Sequence, residues 1–358
     1  MSAAIPAHPD AVTAEWIGAR LDDAGMLDGA TVTVLHWEPI GTGQVGDSVR
    51  FHLSYDAPGA GPATLAGKFP AADPTSRRTA AAFGLYAKEV GFYRDLAPQL
   101  DVRTPRALFA EIADNGVEFT LLFEDLGPAR GGDQLMGCSL GDARLGIAQM
   151  AALHAPSWEN TAILALPWLQ AAFGVGEQIR TLYGPAQALF RERYADALEP
   201  ELMRVCEELA EAGEQWFGRN APPRSLQHGD FRLDNLLFDV RGGAEPIAVL
   251  DWQTLAAGNG LTDLGYFLGC GIGDALRRAH EDELLAHYCD EMTARGVPLT
   301  RDEIWDDYRL GALHGVSTAV FSAAHVERTA RGDANFLSMA RGACALALAH
   351  DSLGVLTC

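Results

Sequence analysis

A change of periodicity at Gly127-Pro128 divides the chain. Before it, apolar and β-branched residues come in short runs broken by glycine and proline. These are Thr31 to Ile40, then Val49, Phe51, Leu53 and Tyr55 in strict alternation, then Thr64 to Phe69, then about 106 to 112 and 117 to 123. A repeat of two puts alternate side chains on one face, so the five runs predict one small antiparallel sheet. A short helix is expected over 13–28 with Thr13 as its N-cap. One main helix is expected over 76–96, where Phe83, Tyr86, Val90 and Phe92-Tyr93 form the apolar set. Gly-Pro after an apolar strand is a strong break. Beyond it the pattern is helical at 139–155, about 168–218, 262–294 and 301–354. The exception is a hairpin of Leu236-Leu237-Phe238 with Ile247-Ala248-Val249-Leu250, joined through Arg241-Gly242-Gly243. The expected fold class is α+β, with a β-rich lobe over 1–126 and a large, mostly α-helical lobe over 127–358.

Composition narrows the partners. The chain has 358 residues, 48% of them hydrophobic, enough for a large core. It carries 48 acidic against 27 basic residues, a net charge of -21. Such a surface argues against nucleic acid or an anionic membrane as the main partner. The six cysteines form no C-x-x-C pair, as expected of reduced thiols. No basic-then-apolar leader opens the sequence and no apolar run reaches spanning length. A cytoplasmic protein without membrane insertion is the expectation.

The chemistry concentrates in His228-Gly229-Asp230-Phe231-Arg232-Leu233-Asp234-Asn235 and in Asp251, which follows a buried apolar run. Phosphoryl transfer needs a carboxylate to orient and deprotonate a hydroxyl, and oxygen ligands for Mg²⁺. Kinase loops supply these from an Asp, an Asn five residues on, and a later Asp. Asp230, Asn235 and Asp251 have that spacing. A carboxylate at the end of a buried strand is costly unless paired or metal-bound, which points Asp251 toward the metal. His228 reads as a brace for the loop, Asp234 as a loop cap or a partner of Arg232, and Asp263 as an N-cap that also ties down the loop.

Gly41, Gly43 and Gly46 form G-x-G-x-x-G between two strands, where backbone amides can cover nucleotide phosphates; a dinucleotide fold would need a helix after them. Lys68, late in the third strand, is placed to contact the α- and β-phosphates. Glu89 on the next helix is placed to hold its ammonium. Gly61 to Lys68 is not a P-loop: the glycine spacing is wrong and Phe69 stands where Ser or Thr is needed.

Together these segments resemble the aminoglycoside phosphotransferase and choline-kinase superfamily, and most closely its ecdysteroid-kinase-like (CHK kinase-like) branch. The likeness rests on Gly43–Arg50, Ala66–Pro70, Glu89–Tyr93, Leu122–Leu126, Ala152–Ala155, His228–Asn235, Asp251-Trp252-Gln253 and Asp263-Leu264. It implies a protein-kinase-like two-lobe fold and transfer of the γ-phosphate of ATP, with Mg²⁺, to a hydroxyl of a small molecule. It further implies a hinge at Glu124 to Leu126 whose backbone binds adenine. A steroid-, polyketide- or acyl-type acceptor is favoured, an aminoglycoside or sugar is the alternative, and a silent nucleotide-binding pseudokinase is the alternative of another class. Asp251-Trp252-Gln253 replaces the D-F-G of protein kinases and no A-P-E follows, so no protein substrate is expected.

Overall fold

Helix α1 (Ala14–Asp23) starts where Thr13 Oγ1 accepts the Trp16 N–H at 3.1 Å. It drives Ile17 and Leu21 into a core shared with Val49, Phe51, Leu53, Leu65, Phe69 and Leu122. Those residues line one face of five antiparallel strands: β1 (Val32–Pro39), β2 (Gly46–Tyr55), β3 (Thr64–Pro70), β4 (Ala107–Ile112) and β5 (Phe119–Glu124). The sheet order is β1-β2-β3-β5-β4. Its register sets Lys68 opposite Ser48 on one side and Leu121 on the other, so the lysine sits on an interior strand. The computed structural model describes residues 5–41, 45–170, 175–219, 222, 224–326 and 328–357.

The helical stretch expected over 76–96 is not one helix. Asp73 caps α2 (Pro74–Ala82), which ends at Phe83. Gly84, at φ 68°, turns the chain through the left-handed region and α3 (Leu85–Gly91) begins. A side chain there would be strained, whereas glycine adopts the turn freely. The reset buries Tyr86, Glu89 and Val90 together, and a wider π-helical turn, Phe92–Leu96, follows.

The chain forms two compact units. One takes the residues up to Gln99 with Thr104–Pro128 and Asp251–Thr254; the other takes Leu100–Arg103, Ala129–Leu250 and Leu255–Cys358. Trp252 is therefore part of the first. Its ring is fully buried, stacks on Phe92 at 3.7 Å between centroids, and donates from Nε1 to Thr104 Oγ1 at 3.0 Å.

In the second unit, Ser139 and Asp142 close a capping box on helix Leu140–Ser157. The hairpin pairs Leu236–Asp239 with Glu245–Val249, with Leu236 opposite Val249 and Phe238 opposite Ile247. Its turn holds Asp239, Arg241 and Gly242 at positive φ. The stretch expected over 168–218 is divided into Val175–Tyr194, Pro200–Glu211 and Gly213–Phe217. That expected over 262–294 is broken as well, into Leu261–Tyr266, a π-helical turn Phe267–Gly271, and Asp274–Ala294. Leu261–Tyr266 presses its backbone on helix Arg301–His325, where a Cβ on Gly265 would stand 2.6 Å from Gly311 Cα. The same short helix carries Asp263, which bonds the amides of His228 and Gly229. Among the described residues no helix is long and apolar enough to cross a membrane.

Candidate active site

In the first unit, Lys68 Nζ donates to Glu89 Oε1 at 2.8 Å and to Asp251 Oδ1 at 3.2 Å. The Glu89 side chain is 2% exposed, Lys68 13% and Asp251 30%. Burial disfavours the Lys68 charge, but Asp251 and Glu89 outweigh it and hold the pKa above the ordinary lysine value. The cation is fixed, and of its two partners Asp251 has the more open carboxylate. Asp251 adopts φ 63°, uncommon for a residue with a side chain, and its Oδ2 accepts from Gln253 Nε2 at 3.3 Å. Left-handed strain at a charged residue is the kind of feature that clusters at functional sites.

The glycine turn bears on the same lysine. A Cβ on Gly46 would stand 3.1 Å from Lys68 Cε and 3.2 Å from the Phe69 carbonyl oxygen, so glycine leaves room for the lysine stem. Tyr86 Oη donates to the Val45 carbonyl at 2.7 Å and accepts the Ala71 N–H at 3.2 Å, tying the end of the turn to α3. Gly41 turns at φ 75°. Gly43 lies outside the described residues.

At the end of β5, the Glu124 N–H donates to the Arg106 carbonyl at 3.1 Å and Oε1 accepts the Arg106 N–H at 2.9 Å. Leu126 is buried, and neither its N–H nor its C=O has a partner among the described residues. Asp125 instead pairs with Arg50 at 2.6 Å. Burial raises the Asp125 carboxyl pKa, but Arg50 and the Gly127 N–H together leave it below its usual value.

In the second unit, the Asp230 loop is held from below by a buried carboxylate. Asp263, with no exposed surface, accepts the His228 N–H at 2.6 Å and the Gly229 N–H at 2.9 Å. His154 Nε2 donates to it at 3.2 Å, and Tyr288 Oη donates to His154 Nδ1 at 3.0 Å. Burial raises the Asp263 carboxyl pKa, but His154 and the loop amides outweigh this and leave it depressed. Helix Leu261–Tyr266 is capped by Gly260 without a side-chain bond, so Asp263 is not its N-cap; its carboxylate serves the loop amides and His154. His228 is fully buried, accepts the Asp230 N–H at Nδ1 (3.3 Å) and donates from Nε2 to the Leu250 carbonyl at 3.0 Å. It braces the loop, and His314 adds a bond to the Gly229 carbonyl at 2.8 Å.

Asp230 Oδ1 accepts from Tyr266 Oη at 2.6 Å, Oδ2 accepts from Asn235 Nδ2 at 3.0 Å, and Arg232 Nε reaches both oxygens at 3.1 Å. Arg232 also donates from Nη1 to Asp234 at 2.5 Å. Asn235 spends its second Nδ2 hydrogen on the Asp230 carbonyl at 2.8 Å, which leaves Oδ1 without a donor among the described residues. Taken singly, the Asn235 Oδ1 of the second unit and the Asp251 carboxylate of the first are hard oxygen donors of the kind Mg²⁺ accepts. Among the described residues no group of three or more His, Cys, Asp or Glu side chains could hold a metal ion.

Sequence reasoning missed Tyr266 as a partner of Asp230 and His154 as the anchor of Asp263. The first had a signal: Tyr266 lies three residues after Asp263, and positions three apart share a helix face.

The Lys68–Glu89 pair and the braced loop are parts of a kinase, and the family match makes the class a small-molecule kinase. The chain belongs to the ecdysteroid kinase-like family, whose sequence profile matches residues 48–296. The choline kinase of Cryptosporidium parvum shares the fold at a TM-score of 0.53 and 12% identity, over 96% of this chain and 98% of that one. A spectinomycin phosphotransferase solved with ADP and spectinomycin matches at a TM-score of 0.53 and 12% identity, over 96% of this chain and 100% of that one. Acyl-CoA dehydrogenase family member 11 of Gallus gallus is 43% identical over 56 residues, 14% of this chain and 7% of that protein. Family member 10 of Mus musculus is 44% identical over 55 residues, 14% of this chain and 5% of that protein. The matched stretches thus span only a small part of those relatives.

Proposed function

We propose that the chain transfers the γ-phosphate of ATP, with Mg²⁺, to a hydroxyl of a small molecule with an apolar body, of steroid, polyketide or acyl type. The observation that carries the reading is a single lysine bonded at once to a buried glutamate and to an open aspartate. A cation so fixed is suited to phosphate oxygens, and it leaves Asp251 a face for metal. In this reading Lys68 contacts the α- and β-phosphates, and Glu89 keeps it there. The backbone around Gly41, Gly43 and Gly46 covers the phosphates, and the backbone of Glu124 to Leu126 receives adenine. Asn235 and Asp251 hold Mg²⁺, which when bound neutralises charge on the phosphate oxygens. Asp230 orients the acceptor hydroxyl and takes its proton.

Family membership supports an apolar acceptor, as does the short likeness to acyl-CoA dehydrogenase family members. The alternative, an aminoglycoside or sugar, draws support from the net charge of -21. Retention of Lys68, Asp230, Asn235 and Asp251 supports turnover over a silent nucleotide-binding role. The cysteine spacing, without a C-x-x-C pair, is that of reduced thiols and supports a cytoplasmic setting.

Calorimetry with a non-hydrolysable ATP analogue, with and without Mg²⁺, tests the assignment. Metal-dependent binding is expected in the wild type and not in Asp251→Ala. Equal metal dependence in both proteins would remove Asp251 from the metal site. A panel of hydroxylated steroids, acyl compounds, sugars and aminoglycosides, read by ³¹P detection of product, then identifies the acceptor class.

A further inference from the structure

The three donors on the Asp230 carboxylate differ in freedom. Arg232 belongs to the same loop, is 23% exposed and has a second partner in Asp234. Asn235 is also of the loop, and its oxygen is committed to the proposed metal role. Tyr266 alone comes from another element and makes the shortest bond, 2.6 Å to Oδ1. Its ring is fully buried, sits edge-on to His314 at 5.2 Å, and is hemmed in at Gly315, where a Cβ would stand 3.4 Å from Tyr266 Cδ2. Its helix is pinned by the backbone contact at Gly265 and Gly311 and by Asp263, one turn earlier, bonded to the loop amides. One helical turn therefore grips the loop twice, at the backbone through Asp263 and at the carboxylate through Tyr266.

A carboxylate that must present one oxygen to an alcohol loses effectiveness if it can rotate about its terminal torsion, which is intrinsically soft. A misaimed group of this kind forfeits rate without affecting binding. We propose that Tyr266 is a positioning residue for the transfer: its phenol locks Oδ1 of Asp230, and the acceptor hydroxyl exchanges for Arg232, which has Asp234 as a second partner, at the remaining edge. Burial raises the Tyr266 phenol well above its usual pKa, so it keeps the proton it donates. The inference rests on Asp230 being the group that receives the acceptor's proton.

Tyr266→Phe removes one oxygen and keeps the ring. With the acceptor that the panel identifies, kcat is expected to fall about 10- to 100-fold while KM for ATP stays within about twofold. In an Asp230→Asn background the same substitution is expected to change the residual rate less than about twofold, because two residues acting through one contact are not additive. Tyr266→Met, also without a donor, is expected to fall to the same level and serves where phenylalanine is poorly tolerated. Circular dichroism and ADP affinity check each variant for folding. An unchanged kcat in Tyr266→Phe, or equal fold-losses in both backgrounds, would overturn the inference. Wild-type turnover by Asp230→Asn would instead overturn the base assignment beneath it.

Discussion

Removing the Asp263 carboxylate tests the view that the catalytic loop is built on a buried acid. Asp263→Ala leaves the His228 and Gly229 amides, bonded at 2.6 and 2.9 Å, without an acceptor, and strips His154 of its partner. An unsatisfied buried donor costs about 1–3 kcal/mol, so the two amides and the histidine together amount to about 3–9 kcal/mol. Unfolding entropy for a unit of about 230 residues is about 0.5 kcal/mol per kelvin, which makes the expected fall in Tm about 6–18 °C. The effect should depend on pH with a definite sign. The folded-state pKa of Asp263 is depressed. Its stabilisation is therefore present above the unfolded carboxylate pKa of about 4 and is lost as pH falls through the folded value. Differential scanning calorimetry of both proteins at pH 7 and near pH 3 reads the gap in Tm, which should narrow at the lower pH. A gap below about 1 °C at pH 7, or one that widens in acid, would refute the reasoning.

Lys68→Met should lower kcat/KM about 10²- to 10³-fold, as expected for loss of a preorganised cation at the transferring group, and steady-state kinetics checks it. Unchanged kcat/KM would mean that another lysine contacts the phosphates. Gly46→Ala places a methyl against the Lys68 stem and the Phe69 carbonyl, a crowding expected to cost about 1–3 kcal/mol. It should show as a lower Tm with a weakened ATP KM, and wild-type values for both would show that the turn has slack.

The sheet was legible because Val49, Phe51, Leu53 and Tyr55 alternate, and alternation leaves a helix no apolar stripe. Lys68 was legible because lysine is rare late in an apolar strand. Other features lie in contacts that no local pattern encodes. Gly84 was hidden because apolar residues continue on both sides of it at helical spacing, although its positive φ ends one helix and starts the next. His154 reaches Asp263 across 109 positions, and Tyr266 reaches Asp230 across 36. A carboxylate in the first turn of a helix reads as a cap, yet Asp263 spends its oxygens on the amides of a distant loop, which its burial makes obligatory.

The most direct measurement compares radiolabelled γ-phosphate transfer by the wild type and Asp230→Asn, alongside the nucleotide affinity of each. Loss of a group that orients and deprotonates the acceptor should reduce kcat about 10²- to 10⁴-fold, with nucleotide affinity within about threefold of wild type. Transfer at the wild-type rate, or a loss of affinity as large as the loss of turnover, would contradict the account.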